Sequence, residues 1–256
     1  PEPVANNNYN NNIAYYAPFE KPAEIINDLL SRELNFTGIE TEGAISEYKK
    51  AQEWHEGWKM AFTLSKRQNS KQVIEEFAKN TKLFPKFRND GSFGYNVIQD
   101  VYSEDDVVLS INESDIINYK FDRTDLENVY TRVNVRYKRD YASDELVGST
   151  GYITVDEYGY DYDYDYYGID KGESNDHPDS TLDFESEYIR DEETAIKLRN
   201  WLLSFYMNQH NEITLELNVN MLKLEIGDII RLPLINGLKI YGEDYTIENT
   251  RCGQLI

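Results

Sequence analysis

The chain is poor in the residues that most often carry covalent cross-links and catalysis. Cys252 is its only cysteine, which excludes an intrachain disulfide and any cysteine-based metal site and leaves the redox compartment open. His55, His177 and His210 are its only histidines. No two of them stand at metal-ligand spacing, and no Gly-x-Ser-x-Gly segment accompanies them, so a nucleophilic triad has no support. Also missing is a glycine-rich phosphate cradle ahead of a helix, and nothing repeats at intervals of ~20–50 residues, which sets aside nucleotide chemistry, solenoids and propellers. No stretch approaches the ~18 consecutive apolar residues that cross a bilayer, and the start lacks the basic-then-apolar order of a signal peptide. Positive charge is scarce as well. Lys and Arg number 26 against 47 Asp and Glu, a net charge of −21, and so acidic a surface repels nucleic-acid phosphates. A sequence-specific nucleic-acid partner is not expected.

Apolar residues are plentiful. Of 256 residues, 40% are hydrophobic and 13% aromatic, enough to bury one large core or two smaller ones. Residues 1–12 are Asn- and Pro-rich with almost nothing to bury, an extended arm or linker. The chain opens at Pro1 without an initiator Met, so a processed product or a piece of a longer polypeptide is expected. Pro22 suits a first helical turn, and Ile25, Ile26, Leu29, Leu30 and Leu34 follow at helical spacing. A second helix is expected over Ala44 to Trp54, and a third after Ser70 as N-cap, burying Val73, Ile74, Phe77 and Ala78. Between them, Trp58, Met60, Phe62 and Leu64 alternate with Lys59, Ala61 and Thr63 as in a half-buried strand. Further strands are expected at Phe84–Phe87, at Phe93–Ile98 after an Asn89-Asp90-Gly91 turn, and at Val107–Ser110. Val129 to Lys138 alternates as an antiparallel strand with a basic outer face, and Gly151–Val155 is the next strand. Asp191 caps a long helix with Ala195, Leu198, Trp201, Leu202, Phe205 and Tyr206 on its apolar face. Four apolar segments from Ile213 to Ile247, broken at Gly227-Asp228 and Asn236-Gly237, read as a β-meander or part of a barrel.

The most distinctive local feature is the run from Glu157 to Tyr167. Extended, it places Asp161, Asp163 and Asp165 on one edge and Tyr160, Tyr162 and Tyr164, with Tyr166, on the other. Three neighbouring carboxylates are the chemistry of a hard-cation site, but against a calcium-loop frame starting at Asp161 the turn glycine is replaced by Tyr166 and the bidentate Glu by Gly172. An acidic, tyrosine-rich contact loop is the better reading, with Tyr160, Tyr162, Tyr164, Tyr166 and Tyr167 as interface residues, since each offers a broad apolar face with a polar tip. Trp54 and Trp58, four apart around Gly57, raise sugar stacking, against which stands the plainer reading of two core aromatics at a helix-to-strand junction. Paired carboxylates for glycoside hydrolysis mean little in a chain with 47 acids. No catalytic residue, metal or cofactor is assigned.

Three stretches resemble the hub and tip-attachment proteins at the distal end of long phage tails. The helix Pro22 to Leu30, followed by Ala44 to Trp54 and a long strand, is similar to the helical subdomain of the lambda-type tip-attachment protein. Glu127 to Tyr137 is similar to the strand by which such hubs re-enter their β-domain. Glu193 through Trp201 to Leu215-Glu216-Leu217, then Leu224-Glu225-Ile226-Gly227-Asp228-Ile229-Ile230, resembles a recurring ending of hub β-domains, in which the Gly-Asp pair makes a tight strand-to-strand turn. The likeness spans roughly residues 21–256; the Asp/Tyr run at 156–170 departs from it. The resemblance implies a ring-forming virion protein at the tail tip, usually a homotrimer, made in the host cytoplasm, joined to the tail tube or distal tail protein on one side and to fibre or receptor-binding elements on the other, and letting DNA pass.

The expected fold is α+β: an arm (1–20), an α+β lobe with about three helices (21–120), and a mainly antiparallel, barrel-like or meandering β lobe (121–256) with one long amphipathic helix. The rival functions are a tail-associated wall hydrolase and a carbohydrate-binding module using Trp54, Trp58 and the tyrosines. The acidity is local, concentrated in a Tyr/Asp insertion at about 140–193 in the β lobe that is expected to be loop-rich. Residues 140–193 hold 18 Asp and Glu against Lys171 and Arg190, whereas residues 49–88 carry 10 Lys and Arg against 4 Glu. Such a segment suits a channel wall that DNA does not stick to, or a basic face on a neighbouring subunit. Titrating the chain with calcium in a calorimeter is expected to give no binding heat; a stoichiometric signal abolished by changing Asp161, Asp163 and Asp165 to Asn would establish the cation site instead.

Overall fold

Helix α1 (Pro22–Asp28) starts on Pro22, whose missing N–H costs nothing at a position with no intrahelical acceptor. The computed structural model describes residues 19–37, 42–64, 66–99, 102–155, 180–232, 239–240, 243–244 and 252–254. Pro22, Ala23, Ile26 and Leu30 form the buried stripe of α1. The expected stripe member Leu34 is exposed instead, because Leu29–Glu33 widens into a π turn closed by Leu34 N–H on Leu29 O at 3.3 Å, which rotates Leu34 off the stripe. Helix α2 (Glu42–Trp54) buries Ala51 and half-buries Tyr48. In α3 (Ser70–Lys79) the cap is Asn69, not Ser70: its side chain accepts from Lys71 N at 3.0 Å and Gln72 N at 3.4 Å, and Ser70 becomes the first helical residue. Val73, Ile74, Phe77 and Ala78 are buried as their spacing predicts.

Trp58 to Leu64 keeps the predicted alternation only in part, with Trp58 and Met60 buried, Phe62 half-buried and Leu64 exposed. It is an extended segment, not a strand. Its neighbours are loops, with Met60 N–H on Glu20 O and Ala61 N–H on Tyr188 O, both at 2.9 Å, and a single bridge joins Met60 to Ile189.

Strands β1 (Leu83–Phe87) and β2 (Phe93–Val97) make an antiparallel hairpin, Leu83 opposite Val97 and Phe87 opposite Phe93, and β2 lies against α2. Strands β3 (Val107–Ser110) and β4 (Ile116–Arg123) follow, and β5 (Arg132–Asp140) is the centre of the largest sheet. Along one side of β5 run β6 (Glu145–Ser149) and β7 (Ile153–Thr154), both antiparallel; along the other runs β8 (Thr181–Glu185), parallel. Both β6 and β8 lie inside the segment expected to be loop-rich. Val133, Val135 and Tyr137 face α4 (Glu192–Tyr206), whose Ala195, Leu198, Trp201, Leu202 and Leu203 are buried. Tyr137 lies across Gly148 opposite it, where a Cβ would come within 2.9 Å of the ring. Asp191 caps α4, its carboxylate accepting from Thr194 N at 3.0 Å. The basic outer face of β5 is matched by acids from β8, from just after it and from the β5–β6 turn: Arg136 pairs with Glu185 at 2.9 Å, and Arg139 pairs with Glu187 and Asp144.

The apolar segments after α4 do not form a meander. Strand β9 (Asn211–Leu217) pairs antiparallel with β4, and β10 (Ile229–Arg231) pairs parallel with β3 and antiparallel with β13 (Cys252–Gln254); β11 (Lys239–Ile240) and β12 (Glu243–Asp244) pair with each other. Residues 218–228 are a 3-10 turn of helix (Val219–Met221) and the turns that follow it, with Leu222 and Ile226 exposed. The apolar alternation therefore finds its partners in residues 107–123, far upstream. Among the described residues there are four α-helices and several small sheets, mixed α+β and mainly antiparallel, with no closed barrel.

Two apolar clusters result. The larger combines residues of α1, α2, α3 and the β1–β2 hairpin with those of β5 and α4, drawing on both sides of residue 120. The smaller gathers Ile111, Ile230 and Leu232, flanked by Ile116, Ile213, Leu215, Leu217 and Leu224. His55 is fully buried in the first, its Nδ1 on Ala51 O at 2.7 Å, its ring edge-on to Trp58 at 5.1 Å, and its Nε2 without a partner. Burial holds this imidazole neutral and pulls its pKa down to about 4, with Lys82 and Lys21 adding to the effect against the Ala51 hydrogen bond. The unfolded chain then binds more protons than the folded one below the ordinary histidine range. Stability from this group is complete above pH ~6.5 and falls by about 3 kcal/mol as pH drops to ~4. Denaturant midpoints of wild type and His55→Phe are expected to diverge by that amount over that window, and parallel curves would contradict it.

Candidate functional site

Some of the residues singled out from sequence lie beyond what the structure describes, and the rest are scattered over it. Asp161, Asp163, Asp165 and Tyr160, Tyr162, Tyr164, Tyr166 and Tyr167 lie outside the described residues, as do Asn236, Gly237 and His177. The ends of the acidic run are placed, however. Val155 N–H bonds Thr131 O at 3.2 Å and Thr131 N–H bonds Ser180 O at 2.9 Å, so residues 155 and 180 flank the start of β5 on its two sides. Trp58 is buried at 5% exposure whereas Trp54 is 41% exposed. The two rings do not form a shared sugar platform, and Trp54 is not a core residue. His210 lies just beyond the end of α4, its Nε2 2.6 Å from Phe205 O in the last turn of the helix. Among the described residues no three His, Cys, Asp or Glu side chains gather as metal ligands.

Gly227 and Asp228 sit in a turn closed by Asp228 N–H on Glu225 O at 3.1 Å and by Glu225 N–H on the Asp228 carboxylate at 2.9 Å. The turn enters β10 from a loop. It docks on the β1–β2 hairpin: Asn89 N–H donates to Glu225 Oε1 at 2.8 Å and Asn96 Nδ2 to Ile226 O at 3.1 Å. Gly227 has φ +87°, and a Cβ there would fall 1.8 Å from Asn96 Nδ2. Both the backbone conformation and the close approach require glycine.

Beneath this turn lies a group of charges that sequence reasoning missed. Lys86 on β1 has a side chain only 5% exposed, with Nζ at 3.3 Å from Glu225, 3.6 Å from Asp228 and 3.9 Å from Glu47. Glu47 also accepts from Arg88 Nη1 at 2.7 Å and from Tyr95 N–H at 2.9 Å. Gly94 leaves room for that carboxylate, since a Cβ would lie 1.9 Å from its Oε2. Burial raises the Glu47 pKa despite the opposing pull of Lys86, Arg88 and the Tyr95 amide. At Glu225 burial also pushes upward, but the Asn89 amide, Lys86 and Arg88 together bring the net shift below the usual carboxylate value. The signal in the sequence was a lysine inside an apolar strand, Leu-Phe-Pro-Lys-Phe. Its counter-charges come from α2 and from the far end of the chain, which a local reading does not connect.

The remaining distinctive surface is apolar. Ile117, Val219 and Leu222 are 70%, 73% and 77% exposed. They share one end of the β4–β9 ribbon, where Ile116 is opposite Leu217 and Asn218 N–H and Nδ2 bond the backbone and side-chain oxygens of Asp115 at 3.1 and 3.2 Å. Nearer the other end, Arg123, Thr124, Asp125, Leu126, Glu127 and Gln209 line a wide, shallow groove.

The molecule is thus a mixed α+β protein with two apolar clusters joined through a charged turn. No family model matches the chain, and no curated protein does. Among solved structures it is similar to the 43 kDa tail protein of prophage MuSo2 from Shewanella oneidensis, with 14% identity and a TM-score of 0.39 over 72% of this chain and 51% of that one. The chain spans about half the length of that protein.

Gly227→Ala is expected to cost about 2 kcal/mol of stability through the left-handed backbone alone, with the clash on Asn96 adding to it. Urea denaturation checks this, and a change under 0.5 kcal/mol would mean that the turn does not hold the hairpin.

Proposed function

We propose that this chain is a structural, non-enzymatic subunit of a phage tail tip or baseplate hub, assembling into a ring that closes the tail tube, connects it to receptor-binding elements and lets DNA through. The observation that carries the reading is the apolar end of the β4–β9 ribbon. Three large aliphatic side chains stand in water there within a strongly acidic protein, an arrangement that costs solubility unless another surface covers it. The resemblance of residues 22–30, 127–137 and 193–230 to tail hub proteins supplies the setting in which the covering surface is a neighbouring subunit or tail protein. The shallow groove and the sealed His55 agree with mechanical rather than catalytic work.

Mass photometry of the purified chain is expected to find closed assemblies, most simply trimers. Ile117→Asp combined with Leu222→Asp, both exposed and so harmless to the fold, is expected to raise the dissociation constant at least tenfold (about 1.4 kcal/mol or more) with an unchanged thermal midpoint. A wild-type chain that stays monomeric at every concentration, or that turns over purified host cell wall, would contradict the proposal.

A further inference from the structure

We infer that residues 102–128 together with 209–232 form a small body that moves as a unit against the rest of the protein, and that the ion cluster around Lys86 is the latch holding it closed. The first observation is that the two apolar clusters share no member. Ile111, Ile230 and Leu232 with their neighbours pack only among β3, β4, β9, β10 and the segments joining them, while α1 to α4, β1, β2 and β5 pack in the other. The extended contacts among α1 to α4 and β1 to β10 likewise fall within one body or the other.

Apart from the ring contact of Phe205 with His210 at 4.5 Å, which sits at the crossing from α4 to β9, what joins the bodies is polar. Lys86 reaches Glu225 and Asp228, Asn89 N–H reaches Glu225, Asn96 reaches Ile226 O, and Lys50 Nζ on α2 meets Asp106 at 2.6 Å just ahead of β3. An interface made of ion pairs and hydrogen bonds, with no shared apolar core, is the kind across which domains move. The chain crosses between the bodies three times, between β2 and β3, between β4 and β5, and between α4 and β9. These crossings keep the bodies together when the latch opens.

The latch is also built to open as a whole. Lys86 is the common partner of Glu225 and Asp228 from the small body and of Glu47 from the large one. Withdrawing it leaves Glu225 and Asp228 facing Glu47 with only Arg88 to offset three like charges, which weakens the hold of the turn on the hairpin. The inference concerns the internal mechanics of one chain and holds whether or not the chain assembles as proposed above.

Amide hydrogen exchange on the full chain tests it, with small-angle scattering alongside. In Lys86→Met the Asn89 amide is expected to exchange at least tenfold faster and the radius of gyration to rise. The amides within β5, α4 and the β4–β9 ribbon keep their wild-type rates. Glu225→Gln, which retains the shape of the side chain, is expected to shift the same amide in the same direction by less. Should Lys86→Met fail to fold, wild type carried from 0.05 to 1 M NaCl supplies the same readout, because separating the charges on opening is favoured by salt. Exchange that accelerates equally in both bodies would make the cluster a general contributor to stability and overturn the inference. So would an Asn89 amide that is indifferent to salt and to both substitutions.

Discussion

A lysine ammonium shut away from water in a β-strand is the constraint around which the parts of this protein are arranged. Lys86 is tolerable on β1 only because Glu47 comes to it from α2 and Glu225 and Asp228 from the turn before β10. Each further feature of the region follows from that requirement. Gly94 is small so that the Glu47 carboxylate fits against β2, Gly227 is left-handed so that the turn lies close over Asn96, and Asp228 folds back on Glu225 N–H to fix both acids in place. Replacing such a cluster by apolar residues of similar shape is often no loss in stability. Its presence here goes with a junction between two apolar clusters, where a charged contact fixes one arrangement without merging them into one core.

Away from the junction the structure is ordinary packing. Helix α4 lies across β5, with Val133, Val135, Leu198 and Leu203 inaccessible to solvent, and the arginines on the other face of β5 are answered by acids of β8 and its surroundings. The net charge of the chain therefore hides a local balance on this sheet. Of the large apolar residues left in water, which include Phe87, Val108, Leu126 and Val147, the three most exposed stand at the end of the β4–β9 ribbon, and these bear the functional reading.

Helices were legible in the sequence where a stripe and a cap coincide. Asp191 with Ala195, Leu198 and Leu202 announced α4, and Pro22 with Ile26 and Leu30 announced α1. The strand β5 was legible from Val133, Val135 and Tyr137. What escaped was non-local. Strand β4 alternates too weakly to stand out and is a strand because β9 pairs with it; β8 lies in an acidic stretch and is a strand because β5 offers it an edge. The run from Ile213 to Leu232 has the apolar alternation of a meander, but its segments pair with β4 and β3 instead of one another. The Lys86 cluster was hidden for the same reason. The Gly227-Asp228 turn was visible, whereas the lysine it covers and the carboxylate from α2 are distant in sequence, and no periodicity connects them.

The central claim is that the apolar end of the β4–β9 ribbon is a surface made to be covered by another protein of the same assembly. The most direct measurement is amide exchange as a function of protein concentration, read at residues 113–118 and 217–223. The account predicts that these amides become protected as the chain is concentrated into assemblies while those of the outer face of β5 do not. Exchange at the ribbon end that is independent of concentration and of added tail proteins would contradict it.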